Sequence, residues 1–95
     1  MQKEQANNTM DQYKAIMASD LPDVDKVKEA FALITGTIVQ QGEQEIEALR
    51  AMHDRENLVK EQIKVSTVRL VRDIFAGAYR QATGRKPWEN ADERG

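Results

Sequence analysis

His53 is the only histidine in the chain, and it stands in a charged run, His53-Asp54-Arg55-Glu56. On a helix, His53 and Glu56 lie one turn apart on one face, the i, i+3 arrangement by which bundles offer an imidazole and a carboxylate to a metal. One pair leaves a coordination shell incomplete, and neither a second histidine nor a cysteine exists to fill it. No metal is expected. Ser19 sits in a proline-bounded loop signal and Ser66 in a helical stretch, and neither lies in a G-x-S-x-G elbow. The glycines Gly36, Gly42, Gly77, Gly84 and Gly95 are dispersed and build no phosphate-cradling loop. The carboxylates fall in charged stretches where tuning of acidity by burial is not expected. The reading is of a protein that is not an enzyme, with no catalytic residue and no cofactor.

Phosphate binding is the one chemistry that a cluster of residues suggests. Lys64, Arg69, Arg72, Arg80, Arg85 and Lys86 give residues 64 to 86 a balance of +5 against the single Asp73. A basic helix followed by a basic tail can engage nucleic acid. Apolar residues are interleaved with these cations as in an ordinary amphipathic helix, and zinc-finger, basic-zipper and aromatic RNA-binding signatures are missing. Nucleic-acid contact through those six residues is therefore the alternative reading. The net charge of −2 also hides a polarity: residues 1 to 62 carry seven Lys or Arg against twelve Asp or Glu, and residues 63 to 95 carry seven against four. Such a charge dipole favours antiparallel or head-to-tail self-association.

The elements that must carry these residues are helical. With 95 residues, 40% hydrophobic, 32% charged and only 5% aromatic, the chain has the profile of one charged, helix-rich domain. Cysteine is absent, no window approaches the ~20 apolar residues of a membrane span, and the first residues lack the apolar core of a signal peptide. A cytoplasmic protein with no membrane contact is expected.

Along the chain, residues 1–9 are polar and are expected to be flexible. Met10, Tyr13, Ile16 and Met17 then predict a short helix over 10–19. Ser19-Asp20-Leu21-Pro22-Asp23 ends it and starts a second helix, expected over 22–41, in which Val24, Val27, Phe31, Ile34 and Ile38 follow a three-and-four spacing that predicts a seam against the next helix. Residues 34–39 are rich in β-branched side chains and read locally as a strand, yet no second run exists to pair with them, so helix is preferred. Gln40-Gln41-Gly42 reads as a helix end with glycine at the C-cap. A long helix is then expected over 43–83, with Ile46, Leu49, Met52, Val59, Ile63, Leu70 and Ile74 as its inward stripe. An alternative hinge lies at residues 53–57, where Asp54 can cap a new helix; the continuous phase of the stripe across them favours the turn at Gly42. Thr83-Gly84 closes the long helix, leaving a charged tail over 84–95 with Trp88, which either folds back onto Phe75 and Tyr79 or anchors another molecule.

Beyond Ile63 the helix carries apolar residues on a second face. The expected fold is all-α, a short N-terminal helix plus an antiparallel pair of long helices, a helical hairpin or small coiled-coil bundle completed by dimerisation. Its second apolar face, Val65, Val68, Val71, Phe75 and Tyr79, together with Trp88, is expected to bind another protein or a second copy. On this reading the chain is a non-enzymatic protein-binding module, a small adaptor, regulator or inhibitor of a larger protein. A structural subunit of a helical assembly is the further alternative.

Overall fold

A computed structural model describes residues 2–89 and consists of three helices, α1 (Gln2–Ala18), α2 (Asp23–Ala51) and α3 (Arg55–Thr83), with no strand among the described residues. Met1 and residues 90–95 of the expected flexible terminus and charged tail lie outside that range. The expected α-helical class stands. The boundaries differ, since helix already begins at Gln2 rather than near residue 10. Residues 2–9 contain no glycine or proline, and the good helix formers Gln2 to Ala6 offset the weaker Asn7, Asn8 and Thr9.

Ser19 closes α1 by donating its hydroxyl to the Ile16 carbonyl at 2.6 Å. Pro22 then serves as the N-cap of α2, its carbonyl accepting from the Asp25 and Lys26 amides, while Asp23 and Asp25 place negative charge in the first turn. Residues 34–39 are helical. Thr35 and Thr37 direct their hydroxyls to the carbonyls one turn earlier, Phe31 and Leu33, which hides the polar atom that would otherwise compete with the ladder.

The hairpin turn is at residues 52–54, and the expected helix end at Gly42 is corrected. Gly42 sits inside α2 and is buried; a Cβ built there would lie 2.4 Å from a methyl of Val65. This glycine makes room for a neighbouring helix and ends nothing. Nor is 43–83 one helix. His53 adopts φ 59°, the Asp54 amide donates to the Leu49 carbonyl, and the His53 amide donates to the Arg50 carbonyl. That pair of bonds is a Schellman ending with histidine where glycine is usual. Asp54 then caps α3, accepting from the Asn57 amide and from its side-chain nitrogen at 2.8 Å.

A histidine in the left-handed region carries a steric cost that glycine does not. His53→Gly is therefore expected to stabilise the fold by about 0.5–1 kcal/mol, read as a higher midpoint in urea unfolding. A lower midpoint would mean that the imidazole makes contacts that outweigh the backbone strain.

The helices pack as an open layer. α2 lies between the other two, and among the described residues α1 makes no contact with α3. The layer measures 46 × 33 × 16 Å, and its radius of gyration of 15.3 Å exceeds the ~12 Å expected for a compact chain of this length. Consequently the core is small. Among the described residues, Ala30, Leu49, Val65, Ala76, Tyr79 and Pro87 are its buried apolar residues, and no large side chain is wholly removed from solvent.

Moving the turn exchanges the faces of the hairpin. Val65 and Tyr79 pack within the fold, whereas Met52, Val59, Ile63, Leu70 and Ile74, expected as the inward stripe, are 52–64% exposed. On α2, Val24 and Val27 of the expected seam are exposed. Phe31 alone of that set stacks on α3, while Ile34 and Ile38 turn toward α1. The seam of α2 instead runs through Asp25, Ala32, Thr35, Gly36, Gly42 and Glu43, which meet Tyr79, Arg72, Val65 and Arg69. Small and polar residues carry it.

Candidate functional site

Of the residues expected to bind a partner, Phe75, Tyr79 and Trp88 converge on a clasp at the open end of the hairpin. Phe75 stacks on Phe31 across the seam with ring centroids 4.3 Å apart, on Tyr79 one turn along at 6.3 Å, and on Trp88 of the returning tail at 6.2 Å. Four of the five aromatic residues thus form one cluster. Gly84 makes this return possible, ending α3 at φ 76° so that the chain reverses, and Pro87 is buried beside Trp88. The Arg72 guanidinium lies 4.6 Å from the Trp88 ring and donates to the Ala32 carbonyl and the Thr35 hydroxyl. Trp88 is thereby held by the chain's own rings and by a cation over its face.

Polar groups close the clasp. Asp25 is 7% exposed and accepts from the Tyr79 hydroxyl at 2.5 Å and from Arg85 at 3.4 Å. Lys28 and Arg85 both lie over the Tyr79 ring. The hydrogen bond from Tyr79 holds the Asp25 carboxyl below the usual carboxylate range, and the same bond raises the Tyr79 phenol above its ordinary value. The carboxylate–phenol pair joins the start of α2 to the end of α3.

The sign of the pH dependence follows. Asp25 is depressed on folding, so its contribution is present above the carboxylate range and is lost as pH falls through its folded value. Tyr79 is raised, so its contribution is present below the phenol range and is lost as pH rises through that range. Stability is expected to form a plateau between roughly pH 4 and 10. Tyr79→Phe should lower that plateau, by roughly 5 °C in Tm, and flatten the alkaline limb. Thermal melts across pH test this, and an unchanged alkaline limb in the variant would assign it to other groups.

Four of the cations expected to meet phosphate pair within the chain, Arg72 in the seam and Lys64, Arg69 and Arg85 at the surface. Arg69 pairs with Glu43 of α2, Lys64 with Glu61 at 2.6 Å, and Arg72 and Arg85 belong to the clasp. Burial draws the Arg72 guanidinium below its ordinary value. Arg80 and Lys86 are exposed. His53 forms the turn, and among the described residues no cluster of three or more metal-binding side chains occurs. Likewise, no helix among them is long and apolar enough to cross a membrane.

Among the described residues, two open apolar surfaces are the outer face of α3 and a groove between α1 and α2. The first is the outer face of α3, where Val59, Ile63, Leu70 and Ile74 recur at helical spacing with Val71 at their edge, all 44–64% exposed. At ~100° per residue this stripe points almost directly away from the Val65–Tyr79 seam. The second is an open groove of about 360 Å³ between α1 and α2, lined by Thr9, Met10, Tyr13, Ile34, Thr37, Ile38 and Gln41. Of the six residues expected to bind a partner, Val71 alone is exposed: Val65 and Tyr79 are buried, and Val68, Phe75 and Trp88 are half-buried. No family model, curated protein or solved structure is similar to this chain. The arrangement of its own surfaces carries the functional argument.

The outer stripe is legible in the sequence as an apolar pattern, and the structure places Val59, Ile63, Leu70 and Ile74 in solvent instead of inward. The α1–α2 groove had a fainter signal, since Ile34, Ile38 and Gln41 lie in register with one another and out of register with Ala32, Gly36 and Glu43.

Proposed function

We propose that this chain is a non-enzymatic protein-binding module, a small adaptor, regulator or inhibitor that docks through the outer face of α3. One observation carries the reading: a fold with a small core leaves a stripe of Val59, Ile63, Leu70 and Ile74, interrupted by Ser66 and Thr67, in water. Isolated exposed leucines are ordinary, but a row of them along one helix is the ridge by which a helix enters a partner's groove. The expectation is thereby moved from the face of Val65, Phe75 and Tyr79 to the opposite face of the same helix. Phosphate recognition is the weaker reading, because Arg69, Arg72 and Arg85 would have to leave in-chain partners to reach a nucleic acid.

The test presents the immobilised chain to an extract of its native host and quantifies bound proteins. A defined partner should be retained by the wild type and reduced at least tenfold by Leu70→Asp and by Ile74→Asp, both surface changes that leave the seam intact. Full retention by both variants, with helicity unchanged, would overturn the assignment of this face. Anisotropy with duplex and single-stranded probes at two salt concentrations separates the alternative: micromolar binding that weakens steeply with salt would favour phosphate contact.

A further inference from the structure

We infer that residues 84–89 form a releasable strap, which leaves the Phe31–Phe75 platform while α2 and α3 stay folded together. The strap lies on a different face of α3 from the outer stripe and does not depend on it. Its hinge is Gly84, whose φ of 76° reverses the chain and where a Cβ would meet nothing within 4 Å. Residues 84–89 belong to no helix, so their release unwinds none.

The helical groups that Arg85 and Trp88 engage each hold a second partner inside the hairpin. Asp25 accepts from Arg85 at 3.4 Å, but also from the Tyr79 hydroxyl at 2.5 Å. The Tyr79 ring lies 5.6 Å from the Arg85 guanidinium and 5.7 Å from the Lys28 ammonium. Phase of ring stacking repeats the pattern, since Phe75 is 6.2 Å from Trp88 and only 4.3 Å from Phe31. Arg72, 4.6 Å from the Trp88 ring, donates to the Ala32 carbonyl at 3.0 Å and to the Thr35 hydroxyl at 2.6 Å.

Release of the strap therefore strands neither the Asp25 carboxylate nor the Arg72 guanidinium. Breaking a buried ion pair is costly mainly because it leaves a charge without a partner, and here the partner remains. The strap is held by burial of Pro87 and part of Trp88, by the cation over the Trp88 ring, and by an ion pair whose Arg85 side chain is 59% exposed. Exposed pairs of that kind contribute little. Parting α2 from α3, by contrast, would break the Asp25–Tyr79 bond, the Phe31–Phe75 stack and both Arg72 bonds together. Once the strap leaves, the Phe75 ring, the Arg72 guanidinium and Asp25 gain solvent at one place, so the clasp has a covered and an uncovered form. A molecule that binds the uncovered form alone would draw the population toward it.

Trp88 is the only tryptophan, so its fluorescence reports the strap while far-UV circular dichroism reports the helices. In a urea titration of the full chain, the emission should move to the red at a lower concentration than that at which helicity falls. Arg85→Glu, which sets a carboxylate against Asp25, should lower the fluorescence midpoint and leave the helical midpoint in place. Trp88→Ala should keep its helicity and lose no more than about 5 °C in Tm. Coincident fluorescence and helicity transitions in the wild type would overturn the inference, because strap and hairpin would then be one cooperative unit. An Arg85→Glu chain in which both midpoints fall together would overturn it too. So would a larger loss of Tm in Trp88→Ala, which would make the tail part of the core.

Discussion

Gly42→Ala should destabilise the protein by about 2 kcal/mol, lowering Tm by roughly 10 °C, although alanine is the better helix former. Two effects oppose each other at this position. Replacing a glycine inside a helix ordinarily gains up to about 1 kcal/mol. Here the added methyl would stand 2.4 Å from Val65 Cγ2 and 3.2 Å from Glu61 Oε2. Valine in a helix has one strongly preferred rotamer and cannot swing aside, so the helices must separate and the seam loses packing along its length. Overpacking of this kind costs about 1–3 kcal/mol or more and outweighs the propensity gain.

Gly77→Ala supplies the control. Nothing lies within 4 Å of a Cβ built at that position, so only the propensity effect operates and the variant should be stabilised by about 1 kcal/mol. Paired thermal melts read both signs. A neutral or stabilising Gly42→Ala would mean that α2 and α3 do not meet in this register.

Phe75→Ala should cost about 3 kcal/mol, toward the lower end for a large core deletion because the ring is half-buried. Phe75 stacks on rings from α2, from its own helix and from the tail, so its removal unseats Trp88 as well as opening the seam. Urea unfolding followed by tryptophan fluorescence tests both parts. The midpoint should fall, and the native emission should shift to the red as Trp88 gains water. Leu70→Ala, on the exposed stripe, should change stability by no more than about 0.5 kcal/mol. Equal costs for the two variants would return Leu70 to the core and Phe75 to the surface.

That contrast marks where the sequence could be read and where it could not. Pro22 and Gly84 act by chain chemistry alone, a missing N–H and a free φ, so the start of α2 and the end of α3 were visible in the residues themselves. The hairpin turn is visible only as the alternative hinge at residues 53–57, marked by a polar run and by Asp54 as a cap, because its left-handed residue is His53 and not glycine. The continuous phase of Leu49, Met52, Val59 and Ile63 argued for one helix, but the turn resets that phase and Leu49 is buried while the other three are exposed. Face assignment failed for a related reason. A seam in which the small residues Ala32, Gly36 and Gly42 stand beside Asp25, Thr35 and Glu43 holds few large apolar side chains, and a search for large hydrophobic residues passes over it. Asp25 was hidden differently, since its burial depends on Tyr79 and Arg85 more than fifty residues away.

The isolation of α1 has a consequence for how the molecule opens. α1 is held by α2 alone, while α2 and α3 are joined by the turn at one end and by the clasp at the other. Release of α1 therefore breaks no bond of the hairpin, whereas parting α2 from α3 dismantles everything. Amide hydrogen exchange should resolve two tiers, with α1 exchanging through a local, low-energy excursion and the amides near Gly42 and Val65 only through global unfolding.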